Sequence, residues 1–367
     1  MTLEDPVLFL QRMLEIYSPS GKEEQIAHFI IDEMKFLGFR NVRMNSVGNV
    51  YGEIGSGSRS ILLCGHMDTV PGRIPVKLEG DRLYGRGAVD AKSSLAAMIW
   101  ASASLKPDIQ SLGKVIVAGV VEEERNARGI RQLLHEGFDV ECAVFGEPSG
   151  LKNVTFAYKG RIYMQVICKT RTGHVGAQHM FRNAIEAAFD LWSRVKNTCL
   201  KYQSPYGIFY SLTPSLMRIN SRRSVGGIPD ECLLEIDLRL PPKIRSTEAV
   251  SLINKVIEEF EAEDDSVSVS LRTKDIVEPF VAKRDTFLMK ALRESIYEVT
   301  GEQAKFLRKT GTGDMNIFGA ERKVPVATYG PGDSRLSHTI CEYIEIPEYL
   351  KSIEVYKRTV EKVLSRS

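Results

Sequence analysis

The sequence predicts an α/β protein in which a mixed, mostly parallel sheet carries helices on both faces, with a second, smaller α+β domain inserted into the chain. Two observations predict this fold. Short apolar runs rich in β-branched residues alternate with helical patterns, as expected for strands buried on both faces. Between the last two runs the order changes to β-α-β-β-α-β, the split βαβ pattern. The apolar runs are residues 60–65, 114–121, 142–146 and 324–330.

The other elements follow in chain order. Residues 6–17 and 22–38 have amphipathic helical patterns, and Ser-Pro-Ser-Gly at 18–21 separates them. Residues 91–105 are rich in alanine and serine and predict a helix between the first two apolar strands. In the middle of the chain the predicted strands are 160–170, 215–220, 232–240 and 266–273, and the predicted helices are 183–200 and 247–263.

This change of pattern indicates two domains. Residues 1–158 and 273–367 would form one discontinuous domain, and residues 159–272 would form an inserted domain of ferredoxin-like order. A chain of 367 residues agrees with this division, because a domain usually has on the order of 150 residues.

Composition excludes several classes of protein. The chain has 49 Lys+Arg and 47 Asp+Glu, a balance that argues against a nucleic-acid binder. No apolar run reaches the ~20 residues needed to cross a bilayer, and the first ten residues include acidic side chains where a signal peptide carries basic ones. We therefore expect a cytoplasmic protein without a membrane partner. The six cysteines are widely spaced, and we expect reduced, buried thiols at the four in strand-like runs, Cys64, Cys142, Cys168 and Cys232.

Histidines and acidic residues stand beside the predicted strands and the helix between them. The carboxyl ends of parallel strands open onto the crevice where α/β proteins bind ligands. Imidazole and carboxylate groups together are typical ligands of divalent metal ions. The residues are His66 and Asp68 after 60–65, Asp90 before the helix 91–105, Glu122–Glu124 after 114–121, Glu147 after 142–146, and His338 after 324–330.

The charges favour two metal ions. Asp90, Glu124 and Glu147 carry −3 and two divalent ions carry +4, so one bound hydroxide would neutralise the centre. Without metal the carboxylates would raise one another's pKa. Two ions about 3.5–4 Å apart can polarise a carbonyl group and lower the pKa of a water. A further acid must then move the water's proton to the leaving amine, and the Glu122–Glu124 triplet can supply it.

Five segments resemble the signatures of the co-catalytic zinc amidohydrolases, the family that includes acetylornithine deacetylase and succinyl-diaminopimelate desuccinylase. In family order they are LLCGHMDTVP, GDRLYGRGAVDAK, VEEERNARG, GEPS and GPGDSRLSHT. The resemblance implies a zinc-exopeptidase-like fold and two Zn²⁺ or Co²⁺ ions per subunit. It also implies that the inserted domain is a lid through which two copies dimerise.

The resemblance assigns a role to each position of these segments. Asp68 resembles an acid that orients the His66 ring, and the peptide bond after Asp90 is expected to be cis. Glu123 resembles the general base, because Gly129 stands five residues after Glu124. A shift of one residue would make Glu122 the base instead. The implied ligands are His66, Asp90 and Glu147 for one ion and Asp90, Glu124 and His338 for the other.

Three further features resemble groups that bind the substrate. His174 resembles the lid histidine that reaches the partner subunit's site and stabilises an oxyanion, although Val175–Ala177 replace the usual serines and proline. Arg239 resembles the lid arginine that binds a substrate carboxylate. Gly311, Thr312 and Gly313 resemble a loop whose N–H groups hold an anionic end of the substrate.

The segments RKTGTGDMN and YGPGDSRLSHT look most like hydrolases that release lysine or ornithine from an amino-group carrier protein in lysine and arginine biosynthesis. Such an enzyme hydrolyses the linear amide on the carrier's C-terminal glutamate, a carbon–nitrogen bond other than a peptide bond. An acidic carrier would favour a basic rim, for which the candidates are Lys169, Arg171, Arg218, Arg222 and Arg223.

Other substrates remain alternatives because no residue of the sequence decides the shape of the pocket. They are those of N-acetylornithine deacetylase, succinyl-diaminopimelate desuccinylase, and a metal-dependent dipeptidase or carboxypeptidase. A metal-binding homologue without catalysis is a further alternative, but the complete set of ligand and base positions argues against it.

Overall fold

The computed structural model describes residues 5–221 and 226–366 and divides into two compact units. The first unit is Met1–Phe156, Ala282–Arg308 and Gly313–Ser367, and the second is Ala157–Val281 and Lys309–Thr312. The second unit therefore extends nine residues past the predicted end at 272, because its last long strand continues to Val277. Arg222 and Arg223 of the predicted basic rim lie outside the described residues.

The described residues include ten α-helices and sixteen β-strands. The helices are α1 Pro6–Glu15, α2 Glu24–Phe36, α3 Lys92–Ala103, α4 Pro107–Leu112, α5 Arg128–Glu136, α6 Ala184–Leu200, α7 Ser246–Glu263, α8 Phe287–Thr300, α9 Asp314–Glu321 and α10 Ile346–Leu364. The strands are β1 Arg40–Met44, β2 Val50–Gly55, β3 Arg59–His66, β4 Lys77–Glu79, β5 Arg82–Tyr84, β6 Gly113–Val120, β7 Cys142–Gly146, β8 Asn153–Tyr158, β9 Gly160–Lys169, β10 Thr213–Ser221, β11 Glu231–Leu240, β12 Ser268–Val277, β13 Phe280–Val281, β14 Lys305–Lys309, β15 Val326–Tyr329 and β16 Tyr343–Glu345.

The large sheet of the first unit has the strand order β1-β2-β6-β3-β7-β15-β8. Its four central strands, β6, β3, β7 and β15, are parallel. The α/β prediction with a mixed sheet is confirmed, but parallel pairing is confined to this centre. β1, β2 and β8 add antiparallel pairs at the two sides. β1 and β2 are joined by a short turn at 45–49, and a connection of that length permits only antiparallel pairing.

The crossovers place helices on both faces of this sheet. The chain passes from β3 through α3 to its neighbour β6, and then through α5 to β7 on the other side of β3. Such crossovers are right-handed. Because the first runs from β3 to β6 and the second runs back across the sheet from β6 to β7, they place α3 and α5 on opposite faces. α1 and α10 pack with α3, and α9 packs with α5. β3 is therefore the switch point of the sheet, where α/β proteins bind ligands.

α3 is buried on every side, because small side chains let it approach the sheet closely. Every residue from Lys92 to Ser102 is buried. A Cβ added to Gly146, at the end of β7, would stand 2.9 Å from Ser94 Cβ. One added to Gly330, just after β15, would stand 2.2 Å from Ser94 Oγ. The glycines thus bring the N-terminus of α3, directly after Asp90, to the carboxyl ends of the parallel strands.

The second unit contains the predicted β-α-β-β-α-β segment. Its elements are β9, α6, β10, β11, α7 and β12, and its sheet has the antiparallel order β10-β11-β9-β12. Alternate residues of β9 and β11, such as Ile162, Met164, Leu234 and Ile236, form one apolar core with α6 and α7. The other face of the sheet carries polar side chains, as the period of two in these strands predicts.

The cysteines are free thiols, and the four predicted to be buried are buried. Cys199 is buried as well, and Cys341 is exposed. Within 5–221 and 226–366, no helix combines the length and the apolar character that crossing a membrane requires.

Candidate metal centre

The predicted ligands meet at the switch point of the first unit. His66 ends β3, Glu122–Glu124 follow β6, and Glu147 follows β7 directly. β3 pairs in parallel with both β6 and β7, so the residues after these strands converge at one edge of the sheet. Asp90 comes from the segment before α3, and its peptide bond to Ala91 is cis, as the resemblance implies.

Two groups of side chains that could hold a metal ion share Asp90. In one, His66 Nε2 lies 3.3 Å from Asp90 Oδ1 and 3.7 Å from Glu147 Oε1. In the other, His338 Nε2 lies 3.3 Å from Asp90 Oδ2 and 2.9 Å from Glu124 Oε1. One oxygen of Asp90 therefore faces each histidine, so Asp90 could supply a ligand atom to both groups.

The His66 ring is oriented by the residue two positions on. Its Nδ1 lies 2.9 Å from the backbone carbonyl oxygen of Asp68 and 3.5 Å from the Oδ1 atom of that residue. A proton on Nδ1 is therefore donated to the carbonyl, and Nε2 is the ring nitrogen that faces Asp90 and Glu147. Nε2 is buried and has no hydrogen-bond partner among residues 5–221 and 226–366. Such an orphaned nitrogen fits a metal ligand.

The carboxylate of Asp68 fixes the segment after β6. Its Oδ1 accepts the N–H of Glu123 at 3.0 Å, and its Oδ2 accepts the N–H of Glu124 at 3.1 Å. Ser20 Oγ donates to the same Oδ2 at 2.6 Å. The Asp68 side chain is fully buried, so these bonds replace its lost hydration. One residue thus orients a histidine through its carbonyl and two glutamates through its side chain.

The carboxylates of Glu123 and Glu122 face different groups. A carboxylate oxygen of Glu123 lies within 4.8 Å of ligand atoms of His66 and Glu124. The Glu122 carboxylate instead pairs with Arg128 at 3.2 Å. Glu122 also has the left-handed backbone angle φ 54°, which turns consecutive side chains apart. Of the two candidates for the general base, Glu123 is the one beside the histidine and the ligand carboxylates.

The excess of acidic side chains among the candidate ligands favours the binding of positive charge. Burial, followed by the nearby Glu147, raises the pKa of Glu123 well above its usual range. Burial also raises the pKa of Glu124. Hydrogen bonding to Asp90 and Glu124 raises the pKa of His338 to about 10. The acids outnumber the two imidazoles, so divalent cations would supply the missing charge.

Residues 62–362 match the peptidase family M20/M25/M40. The chain belongs to this family. Two relatives with matching sequences are the [LysW]-lysine hydrolase of Deinococcus radiodurans and the [LysW]-lysine/[LysW]-ornithine hydrolase of Sulfurisphaera tokodaii. The first is 33% identical over 97% of this chain and 96% of its own length, and the second is 30% identical over 96% and 94%.

Solved structures of M20 proteins share the fold. The M20 metallo-carboxypeptidase of Sulfolobus solfataricus superposes with a TM-score of 0.83 at 17% identity, covering 99% of this chain and all 100% of that one. A dinuclear metal-binding M20 peptidase of Bacillus subtilis superposes with a TM-score of 0.75 at 15% identity, covering 99% and 98%. These structures support the fold of this M20 chain.

His174 and Arg239 of the M20 chain lie in the second unit. His174 is exposed, and its Nδ1 accepts the N–H of Gly176 at 3.1 Å. Arg239 Nε donates to Asp237 Oδ1 at 2.7 Å, and Arg161 on the adjacent strand donates to the other oxygen of Asp237 at 2.6 Å. Arg239 is thus held in place by a buried carboxylate on its own strand.

The predicted anion loop spans the boundary between the units in the sequence. Gly311 and Thr312 belong to the second unit and Gly313 to the first. The N–H of Gly313 is already donated to Asn316 Oδ1 at 3.1 Å, so it serves the start of α9. Among the three residues, only Gly311 and Thr312 remain as candidates for holding an anion.

Two residues of the predicted basic rim are paired with acids. Lys169 lies 3.3 Å from Glu231, and Arg218 lies 4.0 Å from Glu235. Arg171 is exposed. The described part of the rim is therefore less basic than its sequence suggests.

Asp314 and Ser20 are two residues of the centre to which the sequence assigns no role. Asp314 is buried, its Oδ1 has no hydrogen-bond partner in the part of the chain that the structure describes, and burial raises its pKa to about 7. Asp314 directly follows the predicted anion loop. An acid immediately after a glycine-rich loop is the sequence signal that could have identified it. Ser20 has no comparable signal, because it meets Asp68 from 48 positions away in the chain.

Proposed function

We propose that this M20 chain is a two-metal hydrolase that releases lysine or ornithine from the C-terminal glutamate of an amino-group carrier protein. The observation that carries the proposed chemistry is the pair of ligand groups that share Asp90, with Glu123 beside them. The proposed substrate follows the names of two relatives that align over nearly the whole chain.

In this proposal His66, Asp90 and Glu147 would hold one divalent ion, and Asp90, Glu124 and His338 would hold the other. The ions, zinc or cobalt, would polarise the scissile carbonyl and lower the pKa of a water. Glu123 would take a proton from the water that attacks the carbonyl carbon and return it to the leaving nitrogen. Asp68 supports this transfer because it holds the backbone N–H of Glu123 at 3.0 Å. Hydrolysis leaves a free carboxylate on the carrier and a free amine on the amino acid.

The second unit is proposed to be the lid and the dimerisation domain. β10 stands at the edge of its sheet and exposes the apolar side chains of Met217 and Ile219. An exposed apolar edge strand favours pairing with a second copy of the chain. In the dimer His174 would stabilise the oxyanion in the partner's site, and Arg239 would bind the carboxylate of the amino acid that leaves.

The proposed function is tested by amine release from a side-by-side set of substrates. The set contains a carrier protein ending in γ-glutamyl-lysine or γ-glutamyl-ornithine, N-acetylornithine, N-acetyllysine and N-succinyl-diaminopimelate, each with and without a chelator. We expect chelator-sensitive release mainly from the carrier conjugates. Release mainly from a free acylated amino acid would contradict the carrier substrate and keep the metal chemistry. Release that the chelator leaves unchanged would contradict both.

A further inference from the structure

Glu342 holds the segment that presents Asp90. Its Oε1 accepts three backbone N–H groups, from Gly87 at 3.1 Å, Val89 at 2.9 Å and Asp90 itself at 3.0 Å. Its Oε2 accepts Arg86 Nη1 at 2.8 Å. The Glu342 side chain is almost completely buried, with an exposed fraction of 1%. A carboxylate that receives four donors in the interior is strongly fixed in position.

The backbone of Glu342 also contacts the segment that presents Asp90. Its carbonyl oxygen accepts the N–H of Gly85 at 3.2 Å, so contacts with this one residue hold both ends of the segment from Gly85 to Asp90. Arg86 connects this segment to a further loop, because its Nε donates to the carbonyl oxygen of Gly72 at 3.0 Å. The direct partners of Glu342, from Gly85 to Asp90, are all more than 250 positions from it in the chain.

Glu342 also stands next to a second ligand of the centre. His338 is four residues earlier in the same segment, and its ring faces Asp90 Oδ2 at 3.3 Å. His338 has the left-handed backbone angle φ 64°, which a histidine adopts only when the surrounding structure holds it. One buried carboxylate therefore connects the segments that carry two of the three ligands around one proposed ion.

We propose that Glu342 is a positioning residue for the ion site formed by Asp90, Glu124 and His338. This inference rests on the proposed two-metal centre. Its negative charge keeps the N–H of Asp90 in place and fixes the distance between the Asp90 and His338 segments. Groups that orient metal ligands in this way typically contribute a factor of about 10–100 to metal affinity. The other site takes only Asp90 from the segment that Glu342 holds, while His66 and Glu147 come from the ends of β3 and β7, so it depends on Glu342 less.

The test is metal binding by the Glu342→Gln variant, measured by competition with a chromophoric chelator for Zn²⁺ and by the visible absorption of added Co²⁺. The amide is isosteric but lacks the charge. We expect one of the two ions to bind about 10–100-fold more weakly, with a changed absorption spectrum for that equivalent of Co²⁺. Glu342→Ala, which removes every side-chain contact, should weaken the same ion further if the protein folds.

Two control variants separate positioning from general stability. Glu345→Gln removes a carboxylate from the same segment, but this one forms an exposed pair with Arg82 at 2.8 Å. Val363→Ala truncates a buried side chain near the end of α10. The adjacent Leu364 lies beside Gly113 at the start of β6, at the end of that strand away from the metal ligands. Both controls should bind two ions as the wild type does, even where Val363→Ala lowers the melting temperature.

The outcomes distinguish this inference from the proposed function. If Glu342→Gln binds both ions with wild-type affinity, Glu342 serves only the fold and the inference is wrong. If Val363→Ala loses metal affinity to the same extent, the effect is one of stability and the inference is again wrong. If the wild type itself does not bind two ions, the two-metal centre fails first, and the positioning role fails with it.

Discussion

Asp68 illustrates how much one side chain contributes at the residue scale. The resemblance implies that its carboxylate orients His66, but the nearer group to the ring is its backbone carbonyl, at 2.9 Å against 3.5 Å. The carboxylate is instead bonded to the N–H groups of Glu123 and Glu124. A buried acid with these partners sets the position of the proposed base and of a proposed ligand together.

Replacement of Glu123 tests the assignment of the base. Glu123→Gln keeps the size of the side chain and removes its ability to take a proton. We expect kcat to fall about 10²–10⁴-fold, the usual contribution of a general base, while both metal ions stay bound. The measurement is steady-state amine release together with the metal content of the same sample.

Glu122→Gln is the control for this replacement, since its carboxylate faces Arg128. It should stay within a few-fold of the wild-type rate. Undiminished turnover by Glu123→Gln would show that the base is another residue. Loss of an ion from that variant would show that Glu123 is a ligand.

At the scale of secondary-structure elements, the close approach of α3 to the sheet builds the centre. Gly146 and Gly330 lack the Cβ atoms that would hold this helix away. Asp90 stands two residues before the start of α3, so the depth of the helix decides where Asp90 meets His66 and Glu147. Small residues along both surfaces are therefore part of the site although they contact no ligand atom.

Gly330→Ala should destabilise the first unit. The added Cβ would stand 2.2 Å from Ser94 Oγ and 2.7 Å from the carbonyl oxygen of Glu147, so the helix or the segment after β7 must move. Overpacking of this kind typically costs about 1–3 kcal/mol in the free energy of unfolding. Urea unfolding of the metal-free protein measures it.

Gly311→Ala is the matched control for stability, because an added Cβ there meets no atom within 4 Å. Its free energy of unfolding should stay near that of the wild type. Equal stability of Gly330→Ala and the wild type would mean that α3 has room to shift, and that its close approach is not required.

At the scale of the whole molecule, the two units differ in what they contribute. The first contains all the proposed metal ligands and the proposed base, and the second contains His174 and Arg239. β10, the edge strand of the second unit, pairs with β11 among the described residues and exposes apolar side chains. Exposed apolar edges are uncommon in monomers because they lead to association.

Charged residues on β10 should therefore separate the proposed dimer. We expect Met217→Lys with Ile219→Lys to give a monomer in light scattering after gel filtration, because two buried ammonium groups would be unpaired at the interface. Phe36→Lys, on an exposed apolar position of α2, should leave the dimer intact. A dimer that survives the double replacement would place the interface on another surface.

Much of the fold follows from local patterns. The apolar runs that became β3, β6, β7 and β15 and the β-α-β-β-α-β order of the second unit are visible in the sequence, because burial sets the period of each element. The antiparallel sides of the large sheet are not, because they join the centre through contacts between distant strands, β2 with β6 and β8 with β15. The candidate ligands are also visible, since acids and histidines follow the apolar runs.

By itself the sequence determined which residue types stand at the ends of the strands, and so the class of site that the chain can build. Only the tertiary structure decided that Asp90 offers one oxygen to each histidine, that Glu123 and not Glu122 turns toward them, and that Glu342 holds Asp90 from 252 positions away. The reason is physical. Periodicity reports which face of an element is buried, whereas a hydrogen bond between distant segments depends on backbone direction and packing that no local pattern contains.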